Sequence, residues 1–141
     1  MKDSYCMQPE KAEEVRAWLK KASSDLRAGG VDLAAHPPLI GDALFHCQQA
    51  VEKALKAFLT AHDAPFRKTH DLDELAIACG RINPDLQREV NPALELTTFA
   101  WAFRYPGESE EPSKEEAEEA MTLAKQVYEA VLERLPAEAR P

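Results

Sequence analysis

The sequence predicts an all-α protein, folded as a mostly up-and-down antiparallel bundle of five helices. Five segments carry apolar residues at the three-and-four spacing of an amphipathic helix, and nothing in the pattern suggests a sheet. Glycine is scarce, with 5 residues, and most of the 10 prolines lie between those segments or near the chain ends. The 141 residues fit one domain, 1–141, with a core over about residues 9–135 and frayed tails.

The first two helices are long and amphipathic. The first is predicted over Pro9 to Ala28, and Gly29-Gly30 is expected to end it because glycine accepts the left-handed conformation that closes a helix. The second, over Leu39 to His62, is the strongest prediction because good helix formers dominate it. One apolar stripe runs along this helix and comprises Leu44, Cys47, Val51, Leu55 and Phe58.

Capping residues mark the third and fourth helices. Asp71 is an expected N-cap, with Glu74 three residues later as in a capping box, and Gly80 is expected to stop the third helix. Asn83 caps the fourth helix, with a proline at its first position. The pair Asn91-Pro92 should kink or split that helix, because proline lacks the N–H that the helix needs.

The last helix follows an acidic loop. Tyr105-Pro106-Gly107 is expected to end the fourth helix, and Ser113 with Glu116 forms a capping box for the fifth. Acidic residues crowd its first turns, where the helix dipole favours negative charge. The tail 136–141 is expected to fray.

Charge and cysteine content narrow the classes of function. The chain has 17 Lys+Arg against 25 Asp+Glu, a formal net charge of −8, which disfavours a protein that coats nucleic acid non-specifically but leaves room for a local basic pocket. The three cysteines, Cys6, Cys47 and Cys79, form no CxxC motif, and the last two fall in apolar patterns typical of buried thiols in a reducing cytosol. With no apolar N-terminal run and no membrane-length apolar stretch, a cytoplasmic location without membrane contact is expected.

One face of the second helix carries a row of polar side chains. His46, Gln49, Lys53 and Lys56 follow one another at helical spacings and project along one side, away from the apolar stripe. An imidazole, an amide and two ammonium groups in a row are suited to holding an anion such as a phosphate. The alternative is an ordinary solvated face of an amphipathic helix.

A second candidate site lies just before the third helix. Arg67, Lys68 and His70 place two cations and an imidazole beside backbone N–H groups that favour an anion. Asp71 either caps the helix or orients the ring of His70. The alternative is a polar loop that ends in an ordinary N-cap.

The densest aromatic stretch spans residues 99–106. Trp101 and one of the two phenylalanines are expected in the core. Arg104 and Tyr105 stand at the predicted helix end, where they either bind a phosphate or complement the helix dipole.

No cofactor or metal site is predicted. The histidines and cysteines show no close ligand spacing of the zinc type, and the chain has no Gly-rich phosphate loop, GxSxG or HExxH motif. Cys47 is not expected to act as a nucleophile, because it lies on the apolar stripe.

Four motifs in order resemble the HEPN domain family over about Ala12 to Leu132. They are FHCQQAVEKALKAFLTAH (45–62), RKTHDLDEL (67–75), FRYP (103–106) and SKEEAEEA (113–120). The resemblance implies a five-helix bundle that pairs into a homodimer and associates with nucleotides or RNA. It also implies a minimal nucleotidyltransferase as protein partner, and membership in some cases of a toxin–antitoxin pair.

In the ribonuclease branch of the family, an Arg followed after four to six residues by a His cleaves RNA without metal. Arg104 matches the Arg position, but residues 105–111 contain no His. Arginine neutralises phosphate but cannot exchange a proton near neutral pH, so the chain is expected not to be an enzyme.

The leading hypothesis is a nucleotide- or RNA-associated protein, the non-catalytic partner of a nucleotidyltransferase. Expected anion contacts are Lys53, Lys56, Arg67 and Arg104; expected base or sugar contacts are His46, Gln49, His70 and Tyr105. Two alternatives remain open. One is a metal-independent ribonuclease toxin that uses His46 or His70, and the other is a structural dimer or adaptor module.

Overall fold

The computed structural model describes residues 7–103, 105–107 and 110–141. Its five α-helices are α1 (Pro9–Ala34), α2 (Ile40–Ala61), α3 (Leu72–Ile82), α4 (Pro84–Val90) and α5 (Lys114–Leu132), and two 3₁₀ segments span Asn91–Ala100 and Ala137–Ala139. The described residues contain no strand. The predicted all-α five-helix bundle is therefore confirmed.

Helix α2 forms the centre of the bundle. It packs most extensively along α1, and α5, α3 and the 3₁₀ segment Asn91–Ala100 cover its other sides. Contacts between Lys11 and Asp63 at one end, and between Asp25 and His46 nearer the other, show that α1 and α2 run antiparallel. The predicted stripe from Leu44 to Phe58 is at most 1% exposed and forms the heart of the core.

Neither predicted glycine stop ends its helix. Helix α1 continues through Gly29-Gly30 to Ala34, and α3 continues through Gly80 to Ile82. A Cβ on Gly29 would lie 2.5 Å from Cε of Met121 and 3.7 Å from Cβ of His46. This glycine therefore allows α1, α2 and α5 to approach closely, and tertiary packing keeps the residues beyond it helical.

The capping predictions hold with one exception. Asp71 accepts a hydrogen bond from the Asp73 amide at 3.0 Å. Its own amide donates to the Thr69 hydroxyl, so the capping box with Glu74 is wrong. Asn83 caps α4 through the Leu86 amide, and the full box of Ser113 and Glu116 forms at α5.

The predicted break at Asn91-Pro92 is confirmed, and its form is a change of helix type. Helix α4 ends at Val90, and the chain continues as a ten-residue 3₁₀ segment that ends at Ala100, before Tyr105. Proline cannot donate to the carbonyl four residues earlier, and its ring crowds that carbonyl, so the α-helical ladder stops there. Such a long 3₁₀ run is uncommon.

Two expectations for the C-terminal half are wrong. Trp101, the residue after the 3₁₀ segment, is 53% exposed, because the change of helix type directs its side chain outward. Phe99 and Phe103 pack against the core instead. The tail after Pro136 is held down: Ala139 is buried, and the guanidinium of Arg140 donates to the carbonyl of Leu135 at 2.9 Å. None of the helices in the described part of the chain is long and apolar enough to cross a membrane.

Candidate functional site

A polar seam follows one side of α2, where α1 and the loop before α3 pack against it. It extends from Asp42 in the first turn to Lys56, about 21 Å at 1.5 Å per residue. The predicted row of polar residues lies in this seam, but it is not a free solvated face. The side chains of His46 and Lys53 are only 23% and 22% exposed, and that of Lys56 only 7%.

The part of the seam toward the end of α2 is centred on a buried carboxylate. We call it the Glu52 cluster, and its members are Gln48, Gln49, Glu52, Lys56 and His70. Oε2 of Glu52 accepts from Nζ of Lys56 at 2.9 Å, and Oε1 accepts from Nδ1 of His70 at 2.9 Å. The side-chain amides of Gln48 and Gln49 also donate to Oε1, at 3.1 and 3.4 Å.

These hydrogen bonds decide the ionisation of Glu52. Burial alone would raise the pKa of Glu52, but the donors on His70, Lys56 and Gln48 outweigh it and hold that pKa below its ordinary value of 4.5. The carboxylate is therefore ionised near neutral pH, and it fixes the imidazole of His70 with the proton on Nδ1. The His70 side chain is 60% exposed, so an oriented imidazole is accessible at the edge of the seam.

Two aromatic rings enclose the ammonium of Lys56. Its Nζ lies 5.6 Å from the ring centroid of Trp18 and 5.7 Å from that of Phe66. The negative faces of these rings attract a desolvated cation. Lys56 is thus satisfied by Glu52 and the rings together, and it contributes to a closed network.

The second part of the seam lies toward the start of α2. We call it the Asp25 cluster, and its members are Asp25, Asp32, Asp42, His46 and Lys53. The carboxylate of Asp25 accepts from Nδ1 of His46 through Oδ1 and from Nζ of Lys53 through Oδ2, each at 2.7 Å. Nε2 of His46 lies 3.4 Å from Oδ2 of Asp42, one helical turn earlier.

Asp32 and Asp42 add two carboxyl groups whose charge neither Lys53 nor Lys56 neutralises, because these lysines pair with Asp25 and Glu52. Asp32 is 7% exposed, and its Oδ2 has no hydrogen-bond partner among the described residues. Burial, followed by the neighbouring carboxyl of Asp42, raises the pKa of Asp32 to about 6. Carboxylates outnumber ammonium groups in the seam, so its interior is not a strongly positive phosphate pocket.

The remaining predicted site residues lie elsewhere. Arg67 pairs with Glu74 through Nε and Nη2, with a shortest contact of 2.7 Å, and its side chain is 73% exposed. Tyr105 is also 73% exposed. Arg104 lies outside the described residues. The structure thus gathers His46 with Lys53 on Asp25, and Gln49, Lys56 and His70 on Glu52.

The buried cysteines are structural. Cys47 and Cys79 are fully buried free thiols, as predicted, and burial raises the pKa of each to about 12. Neither forms a thiolate nucleophile near neutral pH. Cys6 lies outside the described residues.

Sequence reasoning missed the carboxylates of the seam in both clusters. Asp25, Asp32, Glu52 and Asp42 were not singled out, because carboxylates are abundant in this chain. Spacings of four, between Asp42 and His46 and between Glu52 and Lys56, place each pair on one helix face and were a signal for two of them. The contribution from α1 had no local signal, because it depends on how α1 crosses α2.

Comparison with known proteins agrees with the motifs. No curated protein and no solved structure gives a significant match to this chain. The family model of the HEPN domain matches residues 15–135. This range includes the whole seam and all five helices except the first six residues of α1. This match covers most of the chain, and the protein therefore belongs to the HEPN domain family.

Proposed function

We propose that this HEPN protein binds a nucleotide or an RNA phosphate at the edge of the seam and serves as the non-catalytic partner of a minimal nucleotidyltransferase. Family membership points to a nucleotide- or RNA-associated function. The observation that carries the proposal is the exposed His70 ring, whose orientation is fixed by the buried carboxylate of Glu52. Polar groups whose orientation is already fixed recognise a ligand at a low ordering cost.

The proposed contacts divide according to exposure. His70 and Gln49 reach the same oxygen of Glu52 and lie together at the seam, where they suit base or sugar contacts. Lys53 and the exposed guanidinium of Arg67 supply phosphate contacts after exchanging a carboxylate partner for the ligand. Arg104 and Tyr105 extend this set on the family resemblance, with His46 and Lys56 as the supporting members inside the seam.

The proposed lack of catalysis rests on proton chemistry. The sequence contains no His beyond residue 70, so Arg104 has no partner of the ribonuclease pattern. A guanidinium stabilises charge on phosphate but does not carry the proton that RNA cleavage needs. This supports a binding role in which a partner enzyme provides the reaction.

Calorimetry with AMP, ADP, ATP, GTP and a short single-stranded RNA tests the binding step. We expect heat and a raised melting temperature with at least one of them. His70→Ala and Arg104→Ala should each weaken that binding at least tenfold, whereas Lys125→Ala, at an exposed lysine of α5, should not. No heat and no stability shift from the whole panel would refute the proposed site.

The partner is tested separately, by co-expression of this chain with a minimal nucleotidyltransferase. A complex of the two chains in size-exclusion chromatography is expected. Two separate peaks at micromolar concentration would contradict the partner role without affecting the nucleotide site.

A metal-independent ribonuclease toxin is the second candidate. The pair of His70 and Glu52 favours it, because a carboxylate-oriented, exposed imidazole is a form that a general base takes. This candidate predicts RNA cleavage in the presence of EDTA that disappears in His70→Ala, and growth arrest on expression. Intact RNA and normal growth would exclude it.

A dimer or adaptor module is the third candidate. It is favoured by large apolar side chains left exposed, namely Val31, Leu39, Ile77, Ile82, Trp101 and Tyr105. Isolated exposed apolar residues are normal, so the measurement is the oligomeric state. Light scattering that gives twice the chain mass, lost in Trp101→Ala or Leu39→Ala, would support a homodimer.

A further inference from the structure

Three potential metal ligands meet where the end of α1 faces the start of α2. Asp32, Asp42 and His46 each direct one ligand atom into a group in which all three atoms lie within 4.8 Å of one another. Asp42 and His46 are four residues apart on α2, and Asp32 reaches them from α1. The group is therefore built by tertiary packing from two helices.

The spacing suits a shared ion. Nε2 of His46 and Oδ2 of Asp42 are 3.4 Å apart. Two ligand atoms, each about 2.0–2.2 Å from one metal ion, lie about 3.0–3.5 Å apart at ordinary coordination angles. The pair on α2 thus already has the separation of two ligands on one ion.

Asp32 provides an independent reason for a ligand. The residue is 7% exposed, and its buried Oδ2 has no hydrogen-bond donor among the described residues. Its neighbour in the group is the carboxyl of Asp42, which is also an acceptor when ionised. A buried carboxylate that faces a second carboxylate is stabilised either by a shared proton or by a cation between the two.

The ring of His46 is oriented for coordination. Its Nδ1 lies 2.7 Å from Oδ1 of Asp25, and its Nε2 faces Asp42. In a neutral ring that donates from Nδ1 to Asp25, the lone pair is on Nε2 and is available to a metal ion. Lys53 in turn holds the other oxygen of Asp25 at 2.7 Å. A carboxylate behind a ligating histidine is the usual arrangement at metal centres, where it fixes the tautomer and raises the basicity of the ligand.

We propose that Asp32, Asp42 and His46 form a binding site for one divalent first-row transition ion of the Mn²⁺ type, with Asp25 as the positioning residue of the histidine. Two carboxylates and an imidazole suit Mn²⁺ better than Ca²⁺, which takes six to eight oxygens. Asp42 is 58% exposed, so the ion enters from solvent and keeps water in its remaining positions. The ion clamps α1 to α2, independently of any nucleotide.

Electron paramagnetic resonance tests the site with Mn²⁺ as the probe. The chelator-treated full chain is titrated with MnCl₂, and loss of the free-ion signal measures binding. We expect about one ion per chain and a higher melting temperature with Mn²⁺. Asp42→Asn removes an exposed ligand without disturbing the core, and it should weaken binding at least tenfold.

Matched variants decide the result. Asp32→Asn should weaken binding as Asp42→Asn does, whereas Asp85→Asn, at an exposed carboxylate of α4, should bind as the wild type does. If the wild type binds Mn²⁺ no more tightly than Asp42→Asn, the two carboxylates share a proton and the metal proposal is wrong. Equal weakening by Asp85→Asn would also overturn it, because the ion would then bind to general surface charge.

Discussion

The two halves of the seam show opposite ways to bury a carboxylate beside one helix. In the Glu52 cluster, both oxygens of the central carboxylate accept hydrogen bonds and a lysine balances its charge. In the Asp25 cluster, two further carboxylates lie beside the balanced group, and one buried oxygen has no donor among the described residues. A satisfied network stabilises the fold, whereas a surplus of acceptors leaves room for a ligand.

The largest loss of stability is expected in the Glu52 cluster. Glu52→Ala leaves the buried ammonium of Lys56 without its counter-charge, and breaking a buried pair in this way costs about 3–5 kcal/mol. Urea denaturation measures the loss, with Glu118→Ala on the exposed face of α5 as control. A loss below about 1 kcal/mol would show that the network is not the stabilising half of the seam.

Acid should reduce the contribution of the Glu52 cluster to the free energy of unfolding. The folded-state pKa of Glu52 lies below its ordinary value of 4.5, so its contribution is complete above that pH and is lost as pH falls through the folded-state pKa. Unfolding free energy measured from pH 6 to pH 3 should therefore fall less steeply in Glu52→Gln than in the wild type. Equal slopes would mean that Glu52 does not contribute to the acid sensitivity.

Removing the central charge of the other half should cost less. Asp25→Asn removes the negative charge that His46 and Lys53 share and leaves one acceptor oxygen for the two of them. Both side chains are over one-fifth exposed and can turn to water. We expect a loss of about 1.5–3 kcal/mol, the range for a hydrogen bond to a charged group. A loss as large as that of Glu52→Ala would remove the contrast between the two halves.

The smallest change in stability is expected for substitutions at the two glycines of α1, the helix that packs beside the Asp25 cluster. A Cβ on Gly30 meets nothing within 4 Å, so Gly30→Ala should stabilise the protein by about 0.5–1 kcal/mol through helix propensity. The same change at Gly29 pushes against the Met121 methyl and should gain less or destabilise. Thermal melts of both variants test this, and equal gains would contradict the close packing inferred at Gly29.

Local signals predicted the elements but not their full extents. Ser113 with Glu116, and Asn83 before Pro84, define helix starts through contacts within three residues, so their predictions hold. Gly29-Gly30 failed as a stop because packing against Met121 and His46 outweighs the local preference of glycine. Trp101 failed as a core residue because the 3₁₀ segment that begins at Asn91 changes which side chains face inward.

The candidate site divides in the same way. Helical spacing alone placed His46, Gln49 and Lys53 on one side of α2, because 3.6 residues per turn determines that face. Only the tertiary structure paired His46 and Lys53 with Asp25 on α1, and it placed His70 on Glu52. Arg67 pairs with Glu74 instead.

The sequence by itself determined the helical class, the core stripe of α2 and the family. All three depend on residue order and on contacts within a few turns. The tertiary structure decided which charges are buried, which are neutralised, and that Asp32 from α1 faces Asp42 and His46 from α2. The physical reason is that the energy of a charge depends on the groups that replace its water, and these come from helices distant in sequence.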